Sequence, residues 1–413
     1  MAKTAYITGL DVGTSMVRVV ITQVGPEQEH PTILGVGEAK MQGMQKGVVT
    51  DVEESVAAVS KALDAAERMA GVPIERAYVS INGSHIESQS SRGVIAVGRA
   101  DGEISADDVA RVINAAQAIS LSNNREILHV LPQHYVVDGQ GHIQDPVGMT
   151  GVRLEVEGHI VEGSTPFIKN LTKVVNQAGV HIEDFVFSPL AAALAVLDKR
   201  QKELGVVLVD LGAGTTSLVV YEEGVLLHTA VLPFGSSHVT NDLAIGLRTS
   251  IDVAEVIKLK HGTALADEVR GQELMIESDD RDSEQESVSQ EEVANIISAR
   301  MEEIFSFIDK ELKKIHRSGL LPGGAVFTGQ GASLPGVVEL AKKRLRLPSR
   351  VAVLKKFEGV ARDLDDPAYA VVLGLVLWGI QQESQASHRP ALAMPDVSQT
   401  VGKLRGWFKN FLP

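Results

Sequence analysis

One short pattern stands twice in this chain, far apart. Gly9-Leu10-Asp11-Val12-Gly13-Thr14-Ser15 follows an apolar start and precedes Val17-Arg18-Val19-Val20-Ile21. Val206-Val207-Leu208-Val209-Asp210-Leu211-Gly212-Ala213-Gly214-Thr215-Thr216 precedes Ser217-Leu218-Val219-Val220-Tyr221. Each copy reads as strand, Asp-x-Gly turn, strand. The β-branched runs favour strands, and the glycines permit positive φ and close backbone approach. Amides and hydroxyls exposed in such a turn can hold phosphate oxygens, and the Asp can hold a magnesium ion through water. A single turn of this kind is commonplace. Two facing copies clamp a nucleoside triphosphate from both sides, so the specificity lies in the pair.

The rest of the composition narrows the context. At 413 residues the chain can bury two or more cores, and 44% hydrophobic with only 4% aromatic residues favours cores of Val, Ile, Leu and Ala. The absence of cysteine excludes disulfides, thiolate zinc sites and a Cys nucleophile, and fits a reducing cytoplasm. Met1-Ala2-Lys3-Thr4 leads directly into a strand, without a signal-peptide pattern. The apolar run from Ala368 to Ile380 is too short to span a bilayer and reads as a buried helix. A formal charge of −14 argues against general nucleic-acid binding and repels an anionic membrane. Membrane contact must therefore come from a local segment.

Along the chain, Asp51 to Ser55 starts a helix with apolar Val56, Val59 and Leu63, and the strand Ala77–Ile81 ends at the turn Asn82-Gly83. Residues 84–164 change character: short strands and polar turns surround one helix that begins near Ser105, as in a small inserted α/β domain. A helix from Thr165 returns the chain to the first domain, and Ser188-Pro189 opens an Ala-rich helix. Two helical patterns over 241–317 flank an acidic stretch, Glu277 to Glu292, which reads as a solvated loop. Gly323 to Ala332 forms a third strand-to-glycine turn, and 384–397 reads as a linker.

Two phosphate turns, an Ala-rich connecting helix and a late Gly-x-Gly turn resemble the actin, heat-shock chaperone and sugar-kinase superfold, in which two α/β domains enclose ATP. More specific motifs are AYVSINGSHIESQSSRG at 77–93, HVLPQHY at 129–135, DPVGMTGVR at 145–153, and the run 231–262. In this order they are similar to the FtsA family of bacterial actin-like division proteins, over about residues 5 to 380 and again at the C-terminal helix. The resemblance implies an α/β, actin-like ATPase fold with two halves around a nucleotide cleft. The implied subdomains are 1A (1–83 and 165–203), an inserted SHS2-like 1C (84–164), 2A (204–240 and 318–383) and 2B (241–317). A linker (384–396) and an amphipathic membrane-targeting helix (397–413) follow.

It further implies that Asp11, Gly13, Thr14 and Ser15 form the first phosphate loop, and Asp210, Gly212, Ala213, Gly214, Thr215 and Thr216 the second. Glu255 and Lys258 match residues at the ribose or base, and their spacing puts both on one helix face. Gly329, Gln330, Gly331 and Ala332 match the adenosine-binding turn. Three positions depart from the family pattern: Ala213 replaces a common third Gly, Gln330 replaces a Gly, and Ser217 replaces a frequent Asp.

ATP hydrolysis requires a residue that orients or deprotonates water at the γ-phosphate. Where related folds place Gln or Glu, at the start of the connecting helix, this chain reads Phe187-Ser188-Pro189-Leu190. A Ser hydroxyl is a poor base and a short reach, and Ser188 reads as a helix N-cap before Pro189. No catalytic residue is therefore assigned. Asp11 and Asp210 remain as holders of a hydrated magnesium ion, enough for slow turnover, with nucleotide chiefly setting conformation. His129, His134 and His142 lack metal-ligand spacing and read as surface or strand residues.

The tail carries the second signal. At 100° per residue Val397, Val401, Leu404, Trp407, Phe408, Phe411 and Leu412 fall within an arc of about 140°. Lys403 and Arg405 flank the arc, where their stems can snorkel, and Lys409 lies on the polar side. Such a helix suits the interface of a lipid bilayer. Gly402 and Gly406 each cost roughly 1 kcal/mol of helix propensity, so folding on binding is expected. The alternative is a terminal helix packed on the body or in a partner's groove.

The expectation is an ATP-binding, actin-like protein that polymerises on the cytoplasmic face of the inner membrane at the division site. By resemblance it anchors the FtsZ ring there, with the FtsZ tail on 241–317 and Arg300 as a contact for that acidic peptide. The inserted lobe would meet the next subunit and later divisome proteins. A pilus-assembly adaptor of the same superfold, PilM, is the alternative, and a small-molecule kinase a weaker one because no motif supplies its catalytic Asp.

Overall fold

The structure is a computed structural model that describes residues 5–25, 30–118, 122–276, 286–355, 357–359 and 364–387. Strands β1 (Ala5–Val12) and β2 (Met16–Val24) form an antiparallel hairpin around the first Asp-x-Gly turn, and β3 (Thr32–Lys40) extends it. A small hairpin, β4 (Met44–Gln45) and β5 (Val48–Val49), leads to α1 (Val52–Ala70). Asp51 caps α1 by accepting from the Glu54 amide at 2.9 Å, and Gly71 closes it in the left-handed region. Parallel to β1 runs β6 (Arg76–Ile81).

The chain then leaves the sheet for the inserted lobe. Its elements are β7 (Glu87–Ala96), α2 (Ala106–Gln117), β8 (Arg125–Val137), β9 (Gln140–Ile143) and β10 (Arg153–Ser164). The strands form an antiparallel sheet ordered β7-β10-β8-β9. A capping box of Ser105 and Asp108 starts α2, where the sequence placed a helix start near Ser105. Val109, Val112, Ile113 and Ala116 of α2 join Leu154, Val156 and Ile160 in a separate small core.

The return to the first sheet is α3 (Thr165–Gln177), then β11 (His181–Phe187), parallel to β6. Next, α4 (Ser188–Val196) is buried at every position, which its apolar, Ala-rich sequence allows. The short α5 (Lys199–Leu204) crosses to the second half. There β12 (Val206–Leu211), β13 (Thr216–Glu222) and β14 (Val225–Leu232) form an antiparallel meander. A lobe follows, with α6 (Ser236–Gly246), α7 (Ile251–His261), β15 (Glu273–Ile276), β16 (Glu286–Ser289) and α8 (Gln290–Lys314). The sheet is completed by β17 (Gly324–Thr328), α9 (Val337–Leu345) and β18 (Ser349–Val351), with both strands parallel to their neighbours.

The two sheets share one topology. The first runs β11-β6-β1-β2-β3 and the second β18-β17-β12-β13-β14, each with an antiparallel meander followed by two parallel strands. The duplicated turn is thus the local trace of a duplicated half-molecule.

Two segments differ from the expectation. The acidic stretch Glu277–Glu292 is not all loop: β16 pairs with β15, Ser289 caps α8, and Gln290 to Glu292 form the first turn of that helix. Residues 277–285 lie outside the described residues. The last described segments also return to the first half. The short β19 (Glu358–Gly359) joins the edge of β3, and α10 (Ala370–Ser387) packs on α4 and β1. Val372, Leu373, Leu375 and Val376 are essentially fully buried there, worth on the order of 6–12 kcal/mol gross at roughly 1.5–3 kcal/mol each. A Cβ at Gly374 would stand 1.8 Å from the Ala191 carbonyl oxygen, so the two helices touch backbone to backbone. Among the described residues no helix is long and apolar enough to cross a membrane.

Candidate functional site

The two turns have the same internal geometry. The Gly13 amide donates to the Met16 carbonyl at 3.0 Å, and the Gly212 amide donates to the Thr215 carbonyl, also at 3.0 Å. They face each other across a cleft with about 630 Å³ of free space, open solvent included. From the first turn Asp11, Gly13, Thr14 and Ser15 line it, and from the second Asp210, Gly212, Ala213 and Thr215. The halves meet closely here, because a Cβ at Gly214 would lie 2.8 Å from Thr14 Oγ1. The Ser236 and Ser237 amides, at the start of α6, hold the carbonyls of Gly212 and Ala213 at 2.8 and 3.0 Å.

Gly329 and Gln330 supply a third wall. Gly329 has φ +79°, and a Cβ there would meet Asp210 Oδ1 at 2.5 Å, so glycine is required on two counts. Gly331 and Ala332 sit behind it, buried, with Gly331 against Leu211 and Ser236. Thr216 is buried too, and its hydroxyl has no hydrogen-bond partner.

Electrostatically the cleft is marked by two buried carboxyl groups that repel each other. Burial raises the pKa of Asp11, opposed by the Ser80 hydroxyl and the Arg18 charge. Burial and then the nearby Asp11 push Asp210 up to about 7, with Thr328 and Arg18 pulling the other way. Arg18 cannot neutralise both, for its guanidinium is paired with Glu38 at 2.8 Å and lies 5.4 Å from the Tyr369 ring centre. The donors fit a hydrated magnesium ion better than a protein-caged metal. Two carboxylates face the cleft, and among the described residues no group of three or more His, Cys, Asp or Glu could hold a metal.

Other sequence-selected residues lie elsewhere. Glu255 and Lys258 share a face of α7, as their spacing requires, but do not line this cleft. Lys258 is buried and its Nζ bonds Glu255 at 2.7 Å and Thr240 Oγ1 at 2.8 Å. Thr240 Oγ1 in turn donates to Glu255 at 2.5 Å. Arg300 is engaged within the chain, by two bonds to Asp242 at 2.5 and 2.9 Å and a further one to Glu303. Residues 397–413, with every residue assigned to the lipid-binding face, lie outside the described residues.

Ser188 is not the N-cap that the sequence suggested. Phe187 holds that position and Ser188 is the first helical residue, lining the cleft with its hydroxyl donating to the Ile81 carbonyl at 3.4 Å. His129 is the strand residue of the two alternatives, in β8: it is buried, accepts from the Phe187 amide at 3.0 Å and packs edge-on against Trp378. The structure adds two residues that sequence reasoning missed, Arg18 and Asn82, and gives a partner to Ser217, which the sequence marked only as a departure from the family pattern. Arg18 faces Asp11 through strand pairing, and Ser217 faces Asp210 in the same way. Asn82, read only as a turn residue, lines the cleft and donates from Nδ2 to Ser217 Oγ at 2.7 Å, joining the two halves.

Known proteins carry the same organisation. The family model described as "Cell division protein FtsA" matches residues 207–374, and that described as "SHS2 domain inserted in FTSA" matches residues 83–162, the inserted lobe. The cell division protein FtsA of Bacillus subtilis (strain 168) is 39% identical over 387 residues, covering 94% of this chain and 86% of that protein. Among solved structures, a PilM-PilN type IV pilus biogenesis complex matches with TM-score 0.65 and 14% identity, covering 91% of this chain and 98% of that one. MreB5 of Spiroplasma citri bound to ADP matches with TM-score 0.55 and 13% identity, covering 93% and 99%. At these identities the two structures show the actin-like fold.

Proposed function

The chain belongs to the FtsA family of cell division proteins, and on that premise we propose that it is a nucleotide-gated, actin-like filament subunit that ties the FtsZ ring to the inner membrane. The observation that carries the nucleotide part is the matched pair of turns with two buried carboxylates between them. In this reading ATP lies in the cleft, and the turn amides and the hydroxyls of Thr14, Ser15 and Thr215 hold its phosphates. Asp11 and Asp210 hold magnesium through water; the ion would neutralise phosphate charge and relieve the two carboxylates. Gly329 to Ala332 form the adenosine wall, and Glu255 and Lys258 reach the sugar or base only by exchanging part of their mutual ion pair. That MreB5 binds ADP within the same fold supports this assignment.

Turnover is slow in this reading. Of the polar groups nearest the expected γ-phosphate, Ser188 and Asn82 are uncharged, and both are already hydrogen-bonded within the chain. The protein then acts by changing shape rather than by chemistry. Its subdomains follow the family: 1A with the first sheet, 1C as the inserted lobe, 2A with the second sheet, and 2B from α6 to α8. FtsZ's tail docks on 2B, where Arg300 must trade Asp242 for a carboxylate of the peptide, and later divisome proteins meet 1C. The tail helix lies on lipid at the cytoplasmic face of the division site. Lys403, Arg405 and Lys409 add on the order of 1 kcal/mol each at an anionic surface, and filament multivalency makes weak single anchors firm.

Negative-stain microscopy on lipid monolayers with ATP, with and without residues 398–413, tests this reading. Filaments on lipid are expected only with the tail present. Flotation of the polymer with liposomes that is unchanged by Trp407→Glu with Phe411→Glu would sink the anchor. Rapid steady-state ATP turnover abolished by Asp210→Ala would sink the non-enzymatic role.

A further inference from the structure

The inserted lobe belongs by chain to the first half but is bonded to the second. Strand β14 is the outer strand of the second sheet, and an open edge presents unpaired carbonyls. The lobe covers that edge with side chains. Gln133 Nε2 donates to the Leu226 and Leu227 carbonyls at 2.8 and 3.1 Å, and Ser88 Oγ donates to the Thr229 carbonyl at 2.9 Å. His159 Nε2 lies 2.8 Å from Thr229 Oγ1, both residues buried, and Gln144 Nε2 donates to the Glu223 carbonyl at 3.2 Å. Apolar packing continues beneath these bonds, with Leu131 and Val161 of the lobe in one core with Leu226.

The lobe's root sits at the cleft. The Ser84 amide, where the lobe begins, donates to the Lys46 carbonyl at 3.1 Å. The next residue, Gly47, donates from its amide to Thr14 Oγ1 in the first phosphate turn at 3.0 Å. Gly214 of the second turn comes so close that a Cβ on it would stand 2.8 Å from Thr14 Oγ1 and 3.0 Å from the Lys46 Cα. Lobe root, first turn and second turn are therefore one contact group.

We propose that the inserted lobe is a clasp on the cleft: rooted at the first phosphate turn, it grips the edge of β14, and the cleft opens for nucleotide exchange only as that grip is released. The inference rests on reading the cleft as a nucleotide site. Its physical basis is that rotating the second half away from the first carries β14 away from Gln133, Ser88 and His159. Opening therefore breaks bonds far from the ligand as well as those at it. A partner that pulled on the lobe would act on nucleotide exchange without touching the cleft.

The test uses the full chain and release of a fluorescent ATP analogue chased with excess ATP. Gln133→Ala removes two clasp bonds at a half-buried position and is expected to speed release roughly fivefold to tenfold. The chain has no cysteine, so Gln144→Cys with Glu223→Cys offers a single reactive pair for a short bis-maleimide. Cross-linking is expected to slow release at least tenfold relative to the same variant left open. Release unchanged by both manipulations overturns the clasp. If the analogue fails to bind at saturation, the nucleotide reading falls by itself. The clasp is then judged by hydrogen exchange at the Gly47 and Ser84 amides, expected to quicken in Gln133→Ala and overturned if it does not.

Discussion

Replacing Asp210 with Asn should make the nucleotide-free protein more stable and the loaded protein less so. In the folded chain the Asp210 carboxyl is pushed from its ordinary 3.8 to about 7, by burial and by Asp11 beside it. Between those values the folded state holds a proton that the unfolded state has released. Stability therefore falls as pH rises from 3.8 through about 7, and above that range the full cost is present. At 1.36 kcal/mol for each tenfold in proton affinity, the cost is on the order of 4 kcal/mol. Asn keeps the shape, carries no charge and removes Asp11's like-charged neighbour. The assay is thermal unfolding of the full chain in EDTA at pH 5.5 and pH 8. If even half the cost is recovered, about 2 kcal/mol, then at roughly 1 °C per kcal/mol for a chain this long the variant's midpoint at pH 8 should stand at least about 2 °C above wild type. At pH 5.5 the difference should shrink. Adding ATP with magnesium should raise the wild-type midpoint and barely move the variant. Equal midpoints at pH 8, or the same pH slope in both proteins, would refute the argument that two buried carboxylates strain the empty cleft.

Gly374→Ala gains about 1 kcal/mol of helix propensity yet should lower the melting midpoint, because its Cβ would stand 1.8 Å from the Ala191 carbonyl oxygen. A midpoint at or above wild type would contradict the backbone-to-backbone packing of α10 on α4. Asn82→Ala and Ser217→Ala should each weaken nucleotide binding roughly threefold to tenfold, and the double variant no more than either alone, since they remove the two ends of one bond across the cleft. Additive losses in titration calorimetry would mean that the residues act separately. Thr240→Val, nearly the same shape, should cost about 1–3 kcal/mol in denaturant unfolding by removing a partner of buried Lys258.

What the sequence revealed follows the range over which each feature is determined. The paired turns were legible because strand, glycine turn and strand are set within a dozen neighbours, and the cap at Asp51 and the capping box at Ser105 are equally local. Arg18 and Asn82 were not, nor was the partner of Ser217, because these depend on strand pairing: Arg18 opposite Asp11, Ser217 opposite Asp210, and Asn82 at the end of the strand beside β1. Helix α10 shows the same limit at larger scale. Its apolar run announces burial but not against what, and it crosses back to lie on β1 and α4. That return has a physical consequence. A duplicated fold with its halves joined only by α5 would be free to swing apart, whereas here α10 welds the end of the second half to the core of the first. The same segment also carries the cleft, for the Gly329 amide donates to the Pro367 carbonyl at 3.2 Å and Ala368 and Val371 line the cavity. The inserted lobe holds the second sheet at another place, its edge strand β14, at the opposite end of the sheet from β18. On the clasp reading, separating the halves breaks the five side-chain bonds between the lobe and β14 or the turn before it, so those bonds bear on a site whose own residues they never touch.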